Sequence, residues 1–75
     1  MYNKVIKEVG TVKAEKIKVM TLMDNKGFNQ KQLANNANVS QSSLSGVLNG
    51  RNCRFSTARK IAGALGVDVS QILKE

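Results

Sequence analysis

Between Gln30 and Leu48 the chain leaves only Asn38, Val39 and Ser40 to join two runs of helical pattern. Helices joined by so short a turn pack at a steep angle. That is possible only where small residues let the backbones approach and where a turn residue accepts a positive φ. With Gln30 as position one, Leu33 is fourth, Ala34 fifth, Ala37 eighth, Asn38 ninth, Val39 tenth, Leu44 fifteenth and Val47 eighteenth. Each apolar or small residue falls where a helix-turn-helix pair needs one, and Asn38 stands at the turn position. Asparagine is second only to glycine in tolerating the left-handed conformation.

Local signals set the boundaries. Asn29 is a good N-cap and Gln32, three residues on, completes a capping-box pair, with Leu33, Ala34 and Ala37 as the buried face. Ser40 caps the next helix, expected from Gln41 to Asn49 with Leu44, Val47 and Leu48 inward, and Gly50 closes it. Upstream, the pattern from about Val12 to Lys26 is helical. It puts Val12, Val19, Leu22 and Met23 on one face, makes Met20 and Met23 core filler, and ends at Gly27. Downstream of the loop "RNCRF", "STARKIAGALG" reads as a fourth helix capped by Ser56 or Thr57, with Ala58, Ile61, Ala62 and Leu65 inward and Gly66 ending it. "VDVSQILKE" predicts a last short helix capped by Asp68, with Val69, Ile72 and Leu73 apolar.

The expected fold class is therefore all-α: five short helices over residues 12–75, preceded by an N-terminal extension of residues 1–11. In that extension Tyr2, Val5, Ile6 and Val9 fit an amphipathic helix stripe, while Val5 and Val9 around Lys7 fit a short strand. Both readings stay open.

Composition narrows the function. The chain carries twelve Lys and Arg against five Asp and Glu, a net charge of +7, yet from Gln32 to Gly50 no side chain is charged. An excess of that sign favours a polyanionic partner, nucleic acid first and an acidic membrane second. The cationic residues do not line one helix opposite a broad apolar face, which argues against the membrane. No apolar run approaches the roughly 20 residues of a membrane span, and "MYNKVIKEVG" is too polar for a signal-peptide core, so a cytoplasmic location is expected. With no histidine, one cysteine (Cys53) and five dispersed acids, no metal set, nucleophile–base pair or carboxylate pair can be drawn. No enzyme activity, cofactor or small-molecule ligand is expected.

From about residue 15 to 74 the chain resembles the lambda-repressor-like, Cro-type (XRE) helix-turn-helix DNA-binding domains. The resemblance rests on the spacing over 30–49 and extends through "LNG" and "ARKIAGALGVDVSQIL". It departs from the family at Asn38, where many relatives place glycine. It implies a helix 41–49 that enters the major groove, where base edges present donors and acceptors rather than charges. An uncharged segment rich in Asn, Gln and Ser suits that surface.

On this reading Gln41, Ser42 and Ser45 read bases, and Ser43 and Gly46 lie close to the groove or the DNA backbone. Asn52 joins the base readers by resemblance, which also gives Gln30 a phosphate contact that buttresses Gln41. Asn49 and the amides near Gly50 face phosphate, with Arg51, Arg54 and Lys31 supplying charge and Arg59 and Lys60 as weaker candidates.

The expected function is a sequence-specific regulator that binds double-stranded DNA, a small dimeric repressor of phage, plasmid or bacterial type on a two-fold symmetric operator. Val69, Ile72 and Leu73 are the first candidate homodimer surface, and the stripe Tyr2, Val5, Ile6, Val9 the second. The rival reading is an antitoxin-like interaction module whose DNA binding is autoregulatory.

Overall fold

The computed structural model describes residues 11–74. The stripe Tyr2, Val5, Ile6, Val9 lies outside the described residues. Along the chain come β1 (Thr11–Val12), α1 (Lys16–Lys26), α2 (Gln30–Ala37), α3 (Gln41–Leu48), β2 (Cys53–Arg54) and α4 (Phe55–Ala64), followed by a 3₁₀ turn at Val69–Gln71.

The local signals around α2 and α3 translate directly into structure. Asn29 Oδ1 accepts from the Gln32 backbone N–H at 2.8 Å while Gln32 Oε1 accepts from the Asn29 N–H at 2.9 Å, a complete capping box. Asn38 ends α2 at φ 60°, and the Val39 N–H reaches back to Ala34 O at 3.0 Å. Ser40 Oγ then accepts from the Ser43 N–H at 3.0 Å and starts α3. The turn is thus fixed at both ends by groups three to five residues away.

The steep pairing buries Leu33, Ala34 and Ala37 of α2 and Leu44, Val47 and Leu48 of α3. Against them pack Ala58, Ile61 and Ala62 of α4, with Leu65, Val19 and Ile72 completing the core. Each fully buried Leu or Ile contributes on the order of 1.5–3 kcal/mol of apolar transfer. The turn that orients α3 is anchored by this shared core.

Several expectations are corrected. Among the described residues there are four α-helices, not the expected five, and the fold is not purely helical: Thr11 pairs with Arg54 and Val12 with Cys53 in an antiparallel two-stranded sheet. β-branched Thr11 and Val12 suit a pleated surface, and the expected loop "RNCRF" supplies the partner strand. The first helix consequently begins at Lys16 rather than Val12, with Glu15 as its N-cap accepting from Ile17 N–H at 3.2 Å.

The expected fifth helix shrinks to the 3₁₀ turn. Its cap is as read, since Asp68 accepts from the Ser70 N–H at 3.0 Å. Continuation fails because its backbone is claimed elsewhere: Glu15 N–H donates to Ile72 O at 2.7 Å, Lys74 N–H donates to Lys13 O at 2.9 Å, and Ala14 bridges Leu73. Residues 72–74 thus form a clasp over 13–15.

Two smaller corrections follow from the same pairing. α4 starts at Phe55 behind Arg54, with no side-chain cap from Ser56 or Thr57, because strand β2 runs straight into the helix. Met20 is not core filler: it is 44% exposed on α1, beside Ile17 at 67%, whereas Met23 is buried.

Candidate nucleic-acid interface

The exposed side of α3 begins with Gln41 and Ser42 at its N-terminal turn, where the helix leaves the Ser40 cap. Ser45, one turn on, is half-buried and lies on the same face. Gln41, Ser42 and Ser45 line a shallow hollow together with Gln30 from the start of α2, and with Gly46, Asn49 and Arg51. The structure therefore brings together, from two helices and the following loop, three of the four proposed base readers and three of the six proposed backbone contacts. Arg51 is the one charged side chain of this hollow. Gln30 and Gln41 share it without a hydrogen bond joining them.

Asn52 and Arg54 lie in a neighbouring hollow, lined also by Ser42, Ser43, Gly46, Arg51 and Thr57. Ser42, Gly46 and Arg51 are common to both, so the two hollows form one continuous surface along α3. Lys31 is exposed on α2 and lines neither. Ser43 is partly committed: besides its backbone bond to Ser40, its hydroxyl accepts from Ser40 Oγ at 2.9 Å. Arg59 and Lys60 are exposed on α4 and line neither hollow.

Arg51 is held close to the helix it follows. Its backbone N–H donates to Gly46 O at 3.0 Å, past Gly50 at φ 98°. Its side chain covers Gly46, where an added Cβ would stand 3.2 Å from Arg51 Cδ. Thr57, which the sequence offers only as one of two candidate helix caps, lines the second hollow because β2 turns directly into α4.

Burial pushes the Cys53 thiol above its ordinary range, so it stays protonated at neutral pH. Among the described residues no His, Cys, Asp and Glu gather in a group able to hold a metal. The Asp68 carboxyl is held below the usual carboxylate range by hydrogen bonds from the Ser70 hydroxyl and then the Ser70 N–H. What the surface presents is amide and hydroxyl groups bordered by guanidinium.

Val69 and Leu73 pack half-buried against the core, and Ile72 is fully buried in it. The expected dimer stripe is thus partly spent within the domain, because the clasp draws Ile72 inward. No helix among the described residues is long and apolar enough to cross a membrane.

A helix-turn-helix family model matches residues 19–72, from the middle of α1 through the 3₁₀ turn. Neither the curated proteins nor the solved structures gave a match. The matched span holds the capped α2–turn–α3 unit and the helix that buttresses it, and the chain belongs to the XRE-type, lambda-repressor/Cro-like helix-turn-helix family of DNA-binding transcription regulators.

Proposed function

We propose that the protein is a sequence-specific binder of double-stranded DNA that lays α3 in the major groove and acts as a small dimeric repressor on a two-fold symmetric operator. The observation that carries this reading is the uncharged face of Gln41, Ser42 and Ser45, bordered by Arg51 and Arg54 on a chain of net charge +7. Gln matches the donor–acceptor pair of adenine, and serine hydroxyls adapt to either sense of hydrogen bond. Asn52, beside Ser42 and Ser43, extends base reading past the end of α3, as the family resemblance implies. Gln30, Lys31, Ser43, Asn49, Arg51 and Arg54 hold the phosphates on either side, which fixes the register without carrying sequence information.

One α3 covers about half of such a site, so a second copy reads the other half roughly one helical turn away. The half-exposed Val69 and Leu73 are what the C-terminal segment offers to that copy, with Ile72 supporting them from the core.

Selection of bound duplexes from a random pool at about 0.15 M salt tests the reading. The expected product is a two-fold symmetric motif with half-sites about one turn apart. Gln41→Ala should then cost about 1–3 kcal/mol on the selected site and little on random duplex. A pool that enriches no sequence would remove the sequence-specific reading.

A further inference from the structure

The clasp has an outer face. In its antiparallel pairing Ala14 and Leu73 turn inward, Ala14 buried and Leu73 packed against the core, which leaves their neighbours Lys13 and Lys74 exposed on the opposite side. Lys16, at the start of α1, is exposed next to them. These three lysines, far apart in sequence, line one hollow whose other wall is Leu48, Asn49 and Gly50, the C-terminal end of α3. Asn49 also lines the hollow that holds Gln41 and Ser42. The lysine cluster is therefore continuous with the face of α3, at the end remote from Gln41.

Its charge is only partly offset within the domain. Glu15, the one carboxylate lining this hollow, accepts from the Ile17 N–H as the α1 cap and leaves three lysines against one acid, and none of the three lysines forms an ion pair with a described residue. The C-terminal end of α3 carries partial negative charge on its last carbonyls, which opposes an approaching phosphate unless cations stand beside it. The three exposed lysines beside that end, in excess over Glu15, oppose this partial negative charge.

We infer that Lys13, Lys16 and Lys74 form a second phosphate-binding surface that engages the DNA backbone beyond the end of α3, lengthening the footprint without reading sequence. The inference rests on the proposed docking of α3 in the major groove. It assigns a DNA contact to the clasp, which lies outside the α2–α3 unit.

The test is the salt dependence of binding to the selected operator for the full chain and for K13Q/K16Q/K74Q, with each single substitution and Lys26→Gln alongside. Lys26 ends α1 at the opposite end from Lys16 and lines no part of this hollow. Each lost phosphate contact should flatten log affinity against log salt by about 0.9, so the triple variant becomes shallower by roughly two to three units. Affinity should fall by the same factor on operator and on scrambled duplex, with the enriched motif unchanged, while Lys26→Gln keeps the parent slope. The single variants give the same reading if the triple one folds poorly. A parent-like slope in these variants, with a parent that still enriches a motif sensitive to Gln41→Ala, overturns this inference alone. A parent that binds no duplex overturns it together with the docking of α3.

Discussion

Arg51 donates its backbone N–H to Gly46 O at 3.0 Å and folds its side chain over the same glycine, where an added Cβ would stand 3.2 Å from Cδ and 3.6 Å from Nη1. The cation that borders the face of α3 therefore lies in space left free by a missing side chain. Gly46 is half-exposed in the interior of α3, a position where glycine costs roughly 0.5–1 kcal/mol relative to alanine.

Gly46→Ala should consequently move two measurements in opposite directions. The Arg51 side chain is long and exposed and can swing away, so thermal unfolding should show a domain as stable as the parent or more stable by about 0.5 kcal/mol. Operator affinity should fall, because the displaced guanidinium no longer borders Ser42 and Ser45. Loss of affinity with equal loss of stability would instead indicate a packing defect.

The turn residue Asn38 sits at φ 60°, which L-residues with a Cβ adopt at a cost. Asn38→Ala should destabilise by about 1 kcal/mol, while Asn38→Gly should leave stability within about 0.5 kcal/mol of the parent. Urea denaturation of the three proteins distinguishes a conformational demand at this position from a lost side-chain contact, for which both variants would be equally impaired.

Asp68 gives the fold a pH dependence of defined sign. Its carboxylate, held below the ordinary range by the Ser70 hydroxyl and N–H, favours the folded state when ionised. That contribution is present above the ordinary carboxylate pKa of about 4 and is lost as pH falls through the lower folded value. Asp68→Asn should therefore be less stable than the parent at about pH 7, and the difference should shrink as pH falls below the ordinary carboxylate range.

Cys53 should be slow to alkylate. Its thiol is half-buried in β2 and raised by that burial, and the reactive species is the thiolate. Iodoacetamide at about pH 8 should modify the native chain at least several-fold more slowly than the urea-unfolded chain, as followed by mass spectrometry. Equal rates would show that β2 does not shield the thiol.

Legibility in the sequence followed the range of the forces. The Asn29–Gln32 box, the Ser40 cap, the Gly27 stop and the left-handed Asn38 each depend on groups within a few residues, and each was readable. So were Leu33, Leu44 and Ile61, because helical periodicity places them inward whatever they meet. Pairings across most of the chain left no such trace: Val12 looked helical until Cys53 claimed it, and Ile72 looked like the face of a helix until Glu15 took its carbonyl. Met20 differs because helical periodicity alone does not say how wide the buried stripe of α1 is: Val19 and Met23 lie inside it, and Met20 and Ile17 outside. For the candidate interface, spacing placed Gln41, Ser42 and Ser45 on one face, but not the return of Arg51 over Gly46, nor the gathering of Lys13 and Lys74 from two remote segments.

The hydrogen bond from Glu15 to Ile72 also orders events during synthesis. A ribosome delivers Glu15 early and Ile72 late, so a nascent chain that has already made α2 and α3 still lacks the residue that fills the last place in its core. The tunnel must release Lys74 before Lys13 can accept its amide. A chain cut short before Ile72 would carry α1 to α4 without the buried side chain and the backbone bonds that join residues 72–74 to 13–15.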